Sequence, residues 1–531
     1  MTLLSTFRGS SMDVVVIGAG IGGLTAAARL AAGGFNVTVC ERAGHAGGKM
    51  RRVKVAGSEI DAGPTVFTKC HVFDALFADC GERLDDQVEI VRSATIARHV
   101  FADGSMLDLF SDRKQSIVAV ETFAGRRSAR EFESFMARSD DVLDLLDPIF
   151  MSVERPDSPI ELTMRAGFSG AMRIAKLGAN KSVWDILTKE FSDPRLRHLF
   201  ARYTTYVGSS PYEAPSTLRL IAAVEAQGVW RVAGGMSRLA VAVEGLAKRQ
   251  GAAFRYGADV EEILVENGRA VGVRLGSGEV IAADLVVANC DADAIARGLF
   301  GGIVAHAFGK AATPRERSLS ALGIAVKAKV SGFPLSHHTV FFAPDPMREF
   351  NEIFQARRLP SDPNVYVCAE DRDDCAEGLG ATERLFLIVN APALGDDLES
   401  IDPKEVGRCI NAAMGRLRAS GLTLDLEGGG ISLSTPSEYS ALFPGTGGAL
   451  YGQVSHGSTA SFQRPAARSK IPGLYLCGGS AHPGAGVPMA SLSGTLAVQA
   501  IVKDLASTSR LGRGATPGGI ATRSRMTARS A

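Results

Sequence analysis

The sequence predicts an α/β fold, and three stretches carry that prediction. The first, "DVVVIGAGIGGLTAAARLAAGGFNVTVCER" (13–42), joins an apolar run, a glycine-rich turn, a run of small residues and a second apolar run. The second, 228–290, passes from a glycine turn into an amphipathic helical pattern over Met236–Arg249. Short alternating runs follow, joined at Asn267–Gly268 and Gly276–Gly278. The third, "IPGLYLCGGSAHPGAGVPMASLSGTLAVQAIVKDL" (471–505), repeats strand, glycine turn and helix near the other end of the chain.

Taken in order, Val14–Ile17 is an uncharged, β-branched run that reads as a buried strand. Gly18, Gly20 and Gly23 then form GxGxxG. Gly18 makes the tight turn, Gly20 lets backbone approach a pyrophosphate, and Gly23 permits close helix–strand packing. With Ile21 and Gly22 the turn leads into a helix, Leu24–Ala32, whose start offers free N–H groups and a positive dipole end. A second strand, Asn36–Cys40, ends at Glu41, 23 residues after Gly18, where a carboxylate can hold both ribose hydroxyls. The whole series predicts a Rossmann-type dinucleotide site; GxGxxG alone would not. NAD and FAD share this fingerprint, so the next residues decide. "RAGHAGGKMRRV" (42–53) places Arg42, Gly47, Gly48 and Lys49 beyond the acid, and "IDAGPTVF" (60–67) adds Pro64 and Thr65.

With its ribose-binding Glu and GG-[RK] motif in this order, the chain resembles the glutathione-reductase-like, amine-oxidase-related FAD proteins. The resemblance implies an FAD-binding Rossmann domain with an α+β substrate domain and a helical, membrane-facing part. It also implies cofactor contacts at Gly18, Gly20, Ile21, Gly22, Gly23, Glu41, Arg42, Gly48, Lys49, Pro64 and Thr65, and at the Val260 backbone for adenine. The C-terminal turn, through Gly479, Gly486, Val487 and Met489, would take the ribityl and isoalloxazine end. Both ends of the chain are thus expected to grip one FAD. "GLYLCGGSAHPGAGVP" (473–488) closely resembles the C-terminal signature of bacterial carotenoid desaturases. "HHTVFFAPDPMREFNEIF" (337–354), "DPNVYVCAEDRDD" (362–374) and "ERLFLIVNAPALGDD" (383–397) look most like the hydroxyneurosporene (methoxyneurosporene) desaturases. Phytoene desaturases more often carry GAGTHPGAGIPGV where this chain has GGSAHPGAGVPMA. The resemblance covers about Asp13 to Leu505. It implies FAD-dependent formation of a 3,4 double bond in an acyclic 1-hydroxy or 1-methoxy carotenoid. No catalytic base is identified, and the electron acceptor stays open between oxygen and a quinone. Two alternatives remain: another flavin enzyme (a phytoene desaturase or amine oxidase) and a non-enzymatic binder like the prenyl-protein chaperones.

Length and composition frame these expectations. A chain of 531 residues suggests roughly three lobes. A net charge of +1 removes any global electrostatic case for nucleic acid. The eight cysteines show no CxxC spacing and read as small core residues of a reducing cytosol. No 18-residue apolar run and no signal-peptide pattern is present. The expected organisation is a disordered leader, 1–11, and an FAD domain from 12–85, 228–300 and 465–505. A substrate domain takes 86–227 and 301–464, largely helical over 130–227, and 506–531 forms a disordered basic tail.

A carotenoid substrate requires access to lipid, and 160–191 offers one route. Arg165, Arg173, Lys176 and Lys181 lie there with no acid between Glu161 and Asp185. Ile160, Met164, Phe168, Ala171, Met172, Ala175 and Ala179 recur at three- and four-residue steps. The pattern fits a helix lying on a membrane or one packed on the core, and Gly167, Gly170 and Gly178 weaken either. The expected location is cytoplasmic, peripheral to the inner membrane.

Four other places have chemical potential. His337 and His338 have no carboxylate or cysteine at ligand spacing, so no metal is expected. Glu370, Asp371, Asp373 and Asp374 read as a solvated acidic loop, partly neutralised by Arg372. His482 either touches substrate or holds its turn through a backbone hydrogen bond. Cys477, among apolar neighbours, is packed rather than reactive.

Overall fold

The computed structural model describes residues 12–178, 180–308, 310–373, 382–397, 401–426 and 430–513. Its first sheet has five parallel strands in the order Leu474–Leu476, Leu285–Ala288, Asp13–Ile17, Asn36–Glu41, Ala253–Tyr256. Val14, Val15 and Val16 in the central strand are fully enclosed, which is why that stretch is an unbroken apolar run. The helix Ile21–Ala32 is buried almost all round because it is wedged between the helices Ser237–Arg249 and Val487–Arg513. Small residues permit this: a Cβ on Gly494 would lie 2.3 Å from the Gly22 carbonyl oxygen. The two helices therefore meet backbone to backbone, and the Thr25 and Ser491 hydroxyls, 2.9 Å apart, bond across the seam.

A three-stranded antiparallel sheet (Val260–Glu266, Arg269–Leu275, Val280–Ala282) is inserted between Ala253–Tyr256 and Leu285–Ala288. The second large sheet runs Thr423–Asp425, Ser320–Ser331, Thr382–Ala391, Val365–Ala369, His338–Phe341, Thr95–Val100, Met106–Phe110, with Ile431–Ser434 also on Ser320–Ser331. One face of it packs on an apolar core shared with the helices Arg113–Leu146, Val183–Glu190 and Pro194–Arg202. Gly125 (φ 85°) breaks the first of these helices, and Gly167 (φ 66°) breaks the helix Pro159–Lys176. Both glycines sit at backbone conformations that other residues resist.

Two expectations are corrected. The last helix continues to Arg513, so 506–513, assigned to the disordered tail, are helical. Once a helix is nucleated by buried residues such as Leu496 and Ile501, extension past weak formers costs little. The acidic run after Ala369 is solvated only in part: Asp373 is exposed, but the first half of the run is not. Arg372 and Glu383 form a buried ion pair, and Glu370 is enclosed against Asp61 and Arg384. Residues 1–11 and 514–531, with Ala179 and Asp374, lie outside the described residues, as do the side chains of Ala175 and Lys176. Among the described residues no helix is long and apolar enough to cross a membrane.

Candidate active site

The two glycine-rich turns, more than 450 residues apart in sequence, converge on one side chain. A Cβ on Gly20, Gly22 or Gly478 would each come within 2.8 Å of the Asn289 carboxamide. Asn289 Nδ2 donates to the Gly18 carbonyl, and the Cys477 thiol lies 3.7 Å from Oδ1. A Cβ on Gly23 would lie 2.2 Å from the Gly18 carbonyl oxygen, so the turn and helix close on each other there. Cys477 is buried, and burial pushes its thiol far above the ordinary range, which leaves it packed and inert. Asn289 was missed from sequence. Its one signal is a polar residue at the C-terminal end of an apolar strand, the edge where ligands of parallel sheets bind.

Glu41 ends its strand half-buried. Its carboxylate accepts the Ala19 N–H at 2.6 Å and the Ala43 N–H at 2.8 Å. A carboxylate has about four acceptor positions, so two remain for ribose hydroxyls. Gly47 donates to the Ala19 carbonyl, and Gly48 packs on Gly20, so the second glycine pair lies against the first turn. Val260 is buried at the start of its strand, and nearby Ala258 donates to the Glu41 carbonyl. The first-turn N–H groups of the helices that begin at Ile21 and Val487 have no intrahelical acceptor. Donors at two helix starts, an acid with spare acceptors and glycines that keep side chains away fit a dinucleotide such as FAD.

Arg42 and Lys49 both donate to distant backbone carbonyls. Arg42 donates to the carbonyls of Ala441 and Leu442. Lys49 Nζ donates to the Leu450 carbonyl at 2.7 Å and lies 5.3 Å from the Phe443 ring centre. Burial lowers the proton affinity of Lys49, with Asp291 partly opposing the effect. Both cations tie the cofactor sheet to the segment 441–450, the end of the helix Pro436–Leu442 and the turns after it. Arg464 does the same for the C-terminal turn, donating to the carbonyls of Tyr451, Gly479 and Gln453. Gly479 and Gly486 (φ 112°) carry the chain into the last helix, where Val487 and Met489 occupy its first turn. His482 is buried, bonds the Val153 carbonyl at 3.0 Å and meets the Phe150 ring edge-on. Burial lowers its pKa to about 4, so it is a neutral brace for the turn.

The Pro64–Thr65 loop is anchored from both sides. Asp61 accepts from the Ser237 N–H and hydroxyl, and its own N–H donates to Glu370. Thr65 Oγ1 accepts from the Tyr366 hydroxyl at 2.7 Å. Beyond Tyr366 lies an internal cavity lined by Arg202, Tyr203, Tyr206, Glu225 and His338 together with Val66, Ile96 and Val340. Glu225 accepts both tyrosine hydroxyls, and burial raises its pKa. Sequence reading missed this cluster, because its members come from "RYTTY" (202–206) and from strands far away in the chain. The structure also supplies a sulfur partner that sequence spacing did not: one donor atom each of His337, His338 and Cys368 lie within 4.8 Å of one another. Burial above all, then His337, Arg231 and Arg202, depresses the proton affinity of His338, and the two arginines would oppose a metal cation in the same way.

Fold and site together define a flavin-dependent oxidoreductase. The model of the family "Flavin containing amine oxidoreductase" matches residues 21–324. A hydroxyneurosporene desaturase from Rubrivivax gelatinosus is 46% identical over 515 residues, spanning 97% of this chain and 98% of that protein. One from Cereibacter sphaeroides is 44% identical, spanning 94% and 99%. A solved putrescine oxidase superposes with a TM-score of 0.58 at 15% identity, covering 94% of this chain and 99% of that one, a likeness of fold. The chain belongs to the flavin-containing amine oxidoreductases, within the hydroxyneurosporene desaturase group, and its cofactor is FAD.

Proposed function

We propose that this protein desaturates an acyclic carotenoid bearing a 1-hydroxy or 1-methoxy end, introducing the 3,4 double bond. The observation that carries this is 44–46% identity with hydroxyneurosporene desaturases over nearly the whole chain, on a fold whose two glycine turns meet at Asn289. In the cradle they form, Glu41 holds the adenosine ribose and the Val260 backbone faces adenine. The N–H groups of Ile21, Gly22 and Gly23 take the pyrophosphate, and the turn at Gly479, Gly486, Val487 and Met489 borders the ring end. Arg42 and Lys49 act at one remove, by fixing the segment 441–450 over the cradle. Desaturation removes a hydride and a proton from neighbouring carbons, and bound FAD supplies the hydride acceptor. The chain's own task is to align a long apolar molecule and exclude water. Purified protein with FAD, tested with oxygen and with a quinone as acceptor, should convert 1-hydroxy and 1-methoxy substrates well and phytoene poorly. Efficient phytoene desaturation without activity on the oxygenated substrates would overturn the assignment.

Lipid access belongs to the same proposal, on the cytoplasmic face of the inner membrane. In the helix Pro159–Lys176, Ile160, Met164, Phe168 and Met172 are 72%, 70%, 83% and 52% exposed, and they recur every fourth residue. Arg165 is paired with Glu161, and Arg173 donates to the Asp141 carbonyl, so part of the basic charge is already engaged within the molecule. Apolar insertion should therefore outweigh charge. Met164→Ser with Phe168→Ser is expected to weaken co-sedimentation with anionic liposomes by about tenfold or more, because each large side chain contributes about 1.5–3 kcal/mol when buried. Unchanged binding would return this helix to a purely internal role.

A further inference from the structure

We propose that the cavity beside Thr65 is the recognition site for the substrate's terminal oxygen, with His338 as acceptor and Arg202 as donor. The inference rests on the function proposed above and names the residues that choose its substrate. A tunnel for a polyene should be apolar, and the surrounding core is so. The cavity wall nevertheless holds an arginine, a glutamate, three tyrosines and two histidines, of which His99 is bonded to the Leu107 carbonyl. Burying so many polar groups is costly unless each finds a partner.

Most of them do, and the exceptions face the cavity. Glu225 is occupied by the Tyr203 and Tyr206 hydroxyls. The Tyr366 hydroxyl donates to Thr65 Oγ1 and lies 2.7 Å from His338 Nδ1. With its proton committed to Thr65, that hydroxyl must accept from His338 Nδ1–H. The tautomer is thereby set, and Nε2 of His338 carries a lone pair. His338 is only 2% exposed, and its Nε2 has no hydrogen-bond partner. The Arg202 guanidinium lies over the Tyr206 and Tyr366 rings, 5.7 and 5.4 Å from their centres. It forms no ion pair among the described residues and hydrogen-bonds the Tyr206 hydroxyl, so the rest of its five N–H donors can serve an oxygen.

This pairing matches the chemistry of the two oxygenated ends. A hydroxyl donates one hydrogen bond and accepts another, so it would use both His338 Nε2 and Arg202. A methoxy oxygen only accepts and would use Arg202 alone. Location agrees as well. The oxygen sits on C1, two bonds from C3, so its site must adjoin the reacting carbons. The Tyr366–Thr65 bond joins this cluster to the loop 61–67, which is placed against the cofactor cradle by Asp61 and Ser237.

The test compares kcat/KM for a 1-hydroxy acyclic carotenoid, its 1-methoxy ether and the corresponding unsubstituted hydrocarbon. His338→Leu should lower the value for the hydroxylated substrate by about tenfold or more and leave the methoxy substrate within about threefold. His338→Gln, which restores an acceptor, should recover much of the loss. Arg202→Met should lower both oxygenated substrates relative to the hydrocarbon. FAD content and Tm are measured for each variant, so misfolding shows as loss on all three substrates together with FAD. Substrate ratios unchanged from wild type, or equal losses on all three substrates in a variant that retains FAD, would overturn the recognition site while leaving the desaturase assignment standing. A variant that loses FAD is judged through His338→Gln, whose failure to restore the hydroxyl preference despite full FAD content counts against the site. Wild-type protein inactive on both oxygenated substrates would overturn the function beneath it.

Discussion

Glu41→Ala is expected to weaken FAD binding by about tenfold or more. Each hydrogen bond from a ribose hydroxyl to the carboxylate is charge-assisted and contributes about 1.5–3 kcal/mol, where 1.4 kcal/mol is a factor of ten in affinity. The same substitution strips the Ala19 and Ala43 N–H groups of their acceptor, and Ala19 sits inside the glycine turn. The loss should therefore exceed that of the ribose bonds alone. Glu41→Gln, which keeps an acceptor without the charge, should fall between the two. Titration of apoprotein with FAD, followed by flavin fluorescence, measures all three. Wild-type affinity in Glu41→Ala would show that the ribose is held elsewhere.

Glu370→Gln is expected to flatten the protein's loss of stability toward alkaline pH. Burial, followed by the Asp61 charge, pushes the Glu370 carboxyl up to about 8 from the ordinary 4.5, with Arg384 working in the opposite direction. A carboxyl whose folded pKa is raised adds stability that is complete below about 4.5 and is lost as pH climbs through about 8. Ionisation places a second negative charge beside Asp61, the residue that anchors the Thr65 loop to Ser237. At 1.36 kcal/mol per pKa unit, and with Arg384 already counted in that value, the effect is on the order of a few kcal/mol. Glutamine keeps the acceptor for the Asp61 N–H and cannot ionise. Wild type should thus lose Tm between pH 5 and pH 9 by several degrees more than the variant. Parallel Tm–pH curves would count against a protonated Glu370.

The cofactor cradle was legible because its chemistry is local. A strand buried on both faces must be apolar, a turn against phosphate must be glycine, and an acid must end the next strand. Val14–Ile17, Gly18–Gly23 and Glu41 satisfy those demands within 29 residues. The C-terminal turn was legible on the same terms. Asn289, Arg464 and the Arg202–Glu225–His338 cavity were not, since their meaning depends on partners brought close only by the fold. Glu370 shows the converse. Four acids in five residues look solvated, and only Asp61 and Arg384, from distant strands, reveal a buried carboxyl. The bond from Lys49 to the Leu450 carbonyl was not legible either, because that carbonyl lies about 400 residues away.

The contact of Gly22 with Gly494 bears on how the molecule is made. A polypeptide leaving the ribosome exposes its first helix long before the last one exists, and domains generally form as their residues emerge. Here the earliest strand, turn and helix must wait for the final helix before their own packing is complete. The entropic cost of closing so long a loop grows only logarithmically, so the delay is kinetic more than thermodynamic. During that interval a sheet of valines and an alanine-rich helix have no lasting cover, which favours transient shelter by chaperones. On the proposed cradle, FAD can be held from both sides only after that last helix has been made.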